Sequence, residues 1–274
     1  MRNPPYCCNR QTMRFLGTRK SSVRRPRTAP GDRIYAIGDI HGRYDLLRDL
    51  LALIEKHESG RRAAEQLHVV LLGDVIDRGP DSASILRFLH EWSKNTEGQF
   101  MLLGNHEEVM LRVHGGEHRM LAPWLRFGGR ETLESFGFTP PDPEEVGVSR
   151  IMEDIVEVLP SALMDFVRAW PLTARSGDYY FCHAGIRPGI DLDKQAKSDL
   201  IWIREEFLES PADHGVTIVH GHSITPAVDL QRNRIGIDTG AYRTGVLTAL
   251  FLEGGDRAVL STQGVSALSA YADA

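Results

Sequence analysis

The chain is poor in cysteine. Cys7, Cys8 and Cys182 are its only three in 274 residues, two of them adjacent and none in Cys-x-x-Cys spacing. That excludes a disulfide framework and a thiolate zinc site, and it fits a reducing cytoplasm. Its first 31 residues also lack an apolar run long enough for a signal peptide or a membrane span. Positive charge is not in excess: the formal net charge is −5, so the chain as a whole is not built for nucleic acid, whose binding surfaces are basic. No internal repeat or low-complexity tract is present. What remains is a 42% hydrophobic sequence able to bury the core of one large domain, or of one domain with an insertion.

Acid is missing from one stretch only. Before Asp32 the chain carries Arg2, Arg10, Arg14, Arg19, Lys20, Arg24, Arg25 and Arg27 and no carboxylate. We read residues 1–31 as a basic disordered tail, with Met13 as a second candidate initiator; a basic arm for anionic partners and a transit peptide are the alternatives. The domain is expected over 32–262, with 263–274 as a C-terminal tail.

Within the domain, apolar runs end in glycine followed by polar groups. Arg33–Ile37 reads as a strand that stops at Gly38-Asp39-Ile40-His41-Gly42, and a helix with Leu46, Leu47, Leu50, Leu51 and Ile54 at helical spacing follows. His68–Leu72 runs into Gly73-Asp74-Val75-Ile76-Asp77-Arg78-Gly79-Pro80, then a helix from about Asp81 to Trp92. Gln99–Leu103 ends at Gly104-Asn105-His106-Glu107. From His114 to Arg175, helical segments broken by glycine and proline suggest an insertion, either a cover for the site or scaffold packing. Tyr179–Cys182 then delivers His183, and Thr217–Val219 delivers His220-Gly221-His222. Arg234–Ile237, Thr248–Phe251 and Ala258–Leu260 read as a closing antiparallel set.

One such junction is explained by helix capping, with Asp as N-cap. Several in succession are not. Ligands at strand ends suit an open α/β site, and residues two apart in extended chain share a face, so Asp39 and His41 can converge. The collected set is Asp39, His41, Asp74, Asn105, His183 and one of His220 and His222. Mixed oxygen and nitrogen donors without thiolate favour manganese, iron or zinc. Six ligands exceed what one ion uses while keeping positions open, so two ions sharing a bridging Asp is the simplest arrangement. A pair roughly 3.5–4 Å apart generates hydroxide and clamps an in-line phosphoryl displacement.

These motifs, Gly38–Gly42, Gly73–Gly79, Gly104–Glu107, His183–Gly185 and Gly221-His222, resemble in order those of the calcineurin-like metallophosphoesterases, over about Arg33 to Leu260. More narrowly they resemble the phosphoprotein phosphatase branch in its bacterial and phage-lambda-like form. The resemblance implies a layered α/β sandwich of two mixed β-sheets flanked by helices. It implies that Asp39, His41 and Asp74 hold one divalent metal, and Asp74, Asn105, His183 and His222 the other, manganese being the leading candidate. It makes His106 the general acid, oriented by Asp77, and it assigns Arg78 and Arg204 to the phosphate, with Arg43 and Arg187 as weaker candidates. The nucleophile would be a metal-bridging hydroxide. Cys182 reads as a buried residue, not a nucleophile.

Three functions follow as expectations. The first is hydrolysis of phosphoserine and phosphothreonine in proteins, with small phosphoesters as further substrates and no nucleic-acid or membrane partner. The second is symmetrical hydrolysis of dinucleoside tetraphosphates. Glu107 leans toward the first, since the dinucleotide branch often has Asp after the His. The third, of another class, is a non-catalytic phospho-ligand binding module.

Overall fold

The computed structural model describes residues 25–268. The tail expected over 1–31 lies outside the described residues up to 24. Its end is docked: Thr28 is buried and its amide donates to the Gly254 carbonyl at 3.1 Å, while the Arg27 amide donates to Asp178.

Two sheets face each other. The first runs β11-β10-β9-β1-β2-β3, from β1 (Asp32–Ile37), β2 (Gln66–Leu71), β3 (Gln99–Met101), β9 (Thr248–Glu253), β10 (Asp256–Ser261) and β11 (Gly264–Ala267). The second runs β4-β5-β6-β8-β7, from β4 (Thr173–Ser176), β5 (Tyr179–Cys182), β6 (Thr217–His220), β7 (Asp229–Leu230) and β8 (Arg234–Gly236). β1, β2 and β3 are parallel, as are β5, β6 and β8; the pairings β1–β9, β9–β10, β10–β11, β4–β5 and β7–β8 are antiparallel.

Two expectations change here. Arg234–Ile237 does not join the closing antiparallel set but continues the second sheet parallel to β6. The C-terminal tail expected from 263 includes β11, because Gly264–Ala267 satisfies its backbone against β10.

Period-two alternation explains the layers. Ile34, Ala36, Val70, Leu72, Leu250 and Leu252 point inward and meet Tyr179, Phe181, Val219 and Ile235 between the sheets. Tyr35, Ile37, Val69, Leu71 and Phe251 point outward into a second core with the helices α1 (Tyr44–Ser59), α2 (Ser82–Asn95) and α3 (Asn105–His114). Between β3 and β4 run α4 (Leu121–Trp124), a π-helical turn at Leu125–Gly129, α5 (Arg130–Ser135), α6 (Pro143–Val146), α7 (Val148–Val158) and α8 (Ser161–Arg168), of which α4, α5, α7 and α8 extend this core. On the outer face of the second sheet, Tyr180, Cys182 and Ile218 pack on α9 (Lys197–Trp202) and α10 (Glu205–Leu208). A last short helix, α11 (Ala241–Thr244), precedes β9. No helix among the described residues is long and apolar enough to cross a membrane. The carboxyl ends of six parallel strands therefore open onto one edge of the sandwich, where the ligand-type residues lie.

Candidate active site

Asp39, His41, Asp74, Asn105, His183 and His222 all converge, and all are buried. Asp74 is central. Its Oδ2 lies 3.8 Å from His41 Nε2 on one side and 3.4 Å from His183 Nε2 on the other. Asp39 Oδ2 is 3.9 Å from His41 Nε2. On the far side His183 Nε2 is 2.8 Å from Asn105 Oδ1 and 3.1 Å from His222 Nδ1.

The backbone fixes which nitrogens face inward. His41 Nδ1 lies 2.9 Å from the Ile76 carbonyl and His183 Nδ1 lies 2.9 Å from the Leu72 carbonyl. A carbonyl only accepts, so each Nδ1 carries the proton and each Nε2 is free to ligate. Burial lowers the His41 pKa to about 3 and the His222 pKa to about 2, which keeps both imidazoles neutral, the form that binds metal. Burial also raises Asp39 well above the usual carboxylate range, helped by the negative charges of Asp238 and Asp74. Asp74 goes well below that range: burial opposes its charge, but His183, His106 and His41 outweigh it.

Two groups of donor atoms, His41 with Asp74 and His106, and Asp74 with His183 and His222, each lie within 4.8 Å of one another. The clustered buried carboxylates of Asp39, Asp74 and Asp238, with the unprotonated Nε2 atoms of His41 and His183 turned toward Asp74, need positive charge. The donor set fits divalent ions.

His220 is elsewhere. As the residue after Val219 on β6 it faces the outer layer, its ring against Phe207 at 5.2 Å and its Nδ1 on the Gly221 carbonyl. His222 itself turns inward in the left-handed region, with φ 63°, and its amide donates to Asp39 at 3.1 Å.

His106 and Asp77 form a second layer. His106 Nδ1 donates to Asp77 Oδ2 at 2.6 Å. Burial disfavours the imidazolium, yet Asp74 and Asp77 together raise its pKa. Asp77 is fully buried and held from the other side by residues of the helical segment: Thr132 Oγ1 donates to Oδ1 at 2.6 Å and Trp124 Nε1 to Oδ2 at 3.0 Å. Arg78 bridges the two layers, donating to His41 Nε2 at 2.8 Å and His106 Nε2 at 3.0 Å. Arg204 is exposed at the rim, its guanidinium 3.4 Å from the His222 carbonyl. The weaker arginine candidates are engaged elsewhere: Arg43 pairs with Asp45, and Arg187 with Asp199 and Glu206. Asp81 occupies the N-cap position of α2 without a side-chain cap hydrogen bond. Cys182 is buried, and that burial pushes its thiol pKa up, away from a thiolate.

Sequence reasoning missed three contributors. Asp238 follows the strand end Gly236-Ile237, the same pattern as the other ligands, and could have been found by it. Glu107 was quoted in its motif but given no task; its carboxylate accepts from the amides of Asp74, Val75, Ile76 and Gly104 at 2.8–3.3 Å. Burial and the Asp74 charge push its pKa up to about 7, against the pull of those amides. The clamp of Trp124 and Thr132 on Asp77 had no local signal at all.

Curated relatives include the symmetrical bis(5'-nucleosyl)-tetraphosphatases of Nitrosospira multiformis, 30% identical over 161 residues (59% of this chain, 46% of that protein), and of Legionella pneumophila strain Lens, 34% over 163 residues (58% and 47%). The chain spans about half the length of the curated relatives it matches. Among solved structures, the cold-active protein-tyrosine phosphatase of a Shewanella species superposes with a TM-score of 0.58 at 20% identity, covering 89% of this chain and 83% of that one. At that identity the likeness shows the fold alone. The calcineurin-like phosphoesterase model matches residues 32–245, a span that holds every strand-end ligand described above, and the chain accordingly belongs to the calcineurin-like phosphoesterase family.

Proposed function

We propose that this chain is a dinuclear-metal hydrolase that cleaves dinucleoside tetraphosphates symmetrically. The observation that carries the hydrolase reading is Asp74, set between two groups of metal-type donors with Arg78 and His106 beside it. Asp39, His41 and Asp74 would hold one ion and Asp74, Asn105, His183 and His222 the other; manganese, iron and zinc suit the donors. When bound, such a pair supplies a nucleophile from water at neutral pH and positive charge to the phosphoryl oxygens.

The other steps belong to the chain. Arg78 lies within hydrogen-bond distance of His41 Nε2 and His106 Nε2; an ion held by His41 would take the first nitrogen, and an arriving phosphate would draw the planar fork from the second. That frees His106 Nε2 to carry a proton toward the departing oxygen, with Asp77 stabilising the imidazolium. Arg204 approaches the phosphate from the opposite rim. With these groups all retained, a non-catalytic module has no support.

The substrate class rests on the curated relatives, which are symmetrical tetraphosphatases. The sequence leaned toward phosphoproteins through Glu107, but that carboxylate is taken up by four backbone amides and does not face a substrate. One observation favours phosphoserine or phosphothreonine as a second reading. The clamped Asp77–His106 pair suits a basic alkoxide leaving group, whereas a departing nucleoside diphosphate needs little protonation. Measuring kcat/KM on diadenosine tetraphosphate and on a phosphoserine peptide with manganese, zinc and iron(II) separates the two. A preference for the peptide overturns the leading reading.

A further inference from the structure

Beside Arg78 opens a cavity of about 360 Å³, lined by Arg78, Arg126, Phe127, Gly128, Glu131 and Tyr242. The chemistry above leaves it unused. Its size is within the roughly 300–1,000 Å³ range of small-ligand pockets.

The π-helical turn Leu125–Gly129 builds one wall. Gly128 has φ 117°, and its carbonyl accepts the Arg78 amide at 3.2 Å; a Cβ on Gly128 would lie 2.4 Å from that nitrogen. The turn therefore rests directly on Asp77 and Arg78. It holds Phe127 outward at 65% exposure, the highest of any large hydrophobic side chain among the described residues. Tyr242 forms part of the lining, with the Arg78 guanidinium 4.8 Å over its ring and its edge on His41 at 5.4 Å. Arg126 and Glu131 line the same space, yet neither side chain makes a hydrogen bond or ion pair among the described residues, with the other or elsewhere. An outward aromatic face, an unpaired cation and an unpaired carboxylate thus stand together beside the arginine proposed to bind phosphate, on the side of the proposed acid.

We infer that this cavity holds the nucleoside of the departing product, the base stacked on Phe127, the phosphate chain running between Arg126 and Arg78, and Glu131 accepting from ribose hydroxyls or an exocyclic amine. Phe127 and Arg126 are then specificity-determining residues. The inference rests on the dinucleotide reading proposed above. A phosphopeptide side chain is the competing occupant, but it leaves the pairing of free carboxylate and free cation without a use.

The test uses the full chain with manganese. Phe127→Ala should lower kcat/KM on diadenosine tetraphosphate by roughly 5- to 150-fold, the span of base–aromatic stacking on alanine substitution. It should weaken inhibition by ADP similarly, leave inhibition by inorganic pyrophosphate within about twofold of wild type by the same reasoning, and be rescued by Phe127→Tyr. Arg126→Ala should raise KM for the dinucleotide with kcat little changed. If wild type hydrolyses the dinucleotide and Phe127→Ala alters neither its hydrolysis nor ADP inhibition, the subsite is refuted and the dinucleotide reading stands. If wild type acts on the phosphoserine peptide alone, both fall, and a Phe127→Ala loss on that peptide assigns the cavity to a side chain.

Discussion

Replacing Thr132 by valine keeps shape and volume while deleting one hydroxyl, which makes it a clean probe of how the helical segment reaches the chemistry. The hydroxyl donates to Asp77 Oδ1 at 2.6 Å in a fully buried setting. Without it Oδ1 keeps only Trp124 Nε1, at 3.3 Å, whereas the Asp77 amide still has Ser82 Oγ at 3.0 Å. Loss of a hydrogen bond to a charged group is worth about 1.5–3 kcal/mol. For a chain of this size that lowers Tm by roughly 3–12 °C. The catalytic effect is expected to stay below the full worth of a general acid, about 10²–10⁴-fold, because His106 keeps its bond to Oδ2. The slowing should be larger on an alkyl phosphate than on p-nitrophenyl phosphate, whose leaving group needs less protonation. Steady-state kinetics on both substrates, in wild-type and Asp77→Asn backgrounds, decide the matter. A Thr132→Val enzyme that loses the same factor on both, or that slows Asp77→Asn further, refutes transmission through Asp77.

Asp74→Asn should reduce metal content at both positions in elemental analysis, whereas Asp77→Asn should retain both ions and slow turnover; loss of metal in Asp77→Asn would contradict this division. Glu107→Gln places an amide NH₂ against two of the four backbone donors, each orphan costing about 1–3 kcal/mol. Metal affinity, followed by competition with a chelator, should fall about 10–100-fold, and an unchanged affinity would show that Glu107 serves packing only. His220 is a base whose pKa burial lowers to about 4 in the folded state, from 6.5. Its stabilising neutrality is complete above pH 6.5 and is lost as pH falls through 4, a difference of about 3 kcal/mol at 1.36 kcal/mol per unit. His220→Gln should flatten the Tm profile between pH 6.5 and 4; a parallel profile would mean that other groups carry the acid sensitivity.

Much of this site was legible because strand ends announce themselves. An apolar run stopping at glycine and a ligand-type residue recurs at Asp39, Asp74, Asn105, His183 and His222, and each lies where that pattern puts it. Asp238 obeys the same rule, though the run before it was assigned to the wrong sheet. That error has a physical source. Alternation shows which face of β8 is buried, but not whether its neighbour is β6 or β9. Thr132 and Trp124 were illegible for another reason: they meet Asp77 across 55 and 47 residues, from helices whose own periodicity records only their packing.

The glycines that make the motifs recognisable have a sharper purpose than flexibility. A Cβ at Gly104 would lie 2.2 Å from Asp74 Oδ1, and one at Gly221 would lie 2.1 Å from Asp39 Oδ1. Both leave room for a ligand carboxylate. The flexibility itself is needed by residues that have a Cβ. His41, Asp74, Asp77, Arg78 and His222 have φ between 47° and 70°, and they are the only non-glycine residues with positive φ among those described. Such backbone costs about 1–3 kcal/mol at each position. Glu107 opposes the strain at Asp74 with its amide bonds, and the Gly128 carbonyl does so at Arg78. Strain therefore coincides with five residues proposed to handle metal, proton and phosphate, and the groups that hold it in place come from α3 and from the π-helical turn. The helical segment between β3 and β4, which bonds the Arg78 amide through Gly128 and the Asp77 carboxylate through Thr132, is thereby part of the site's construction.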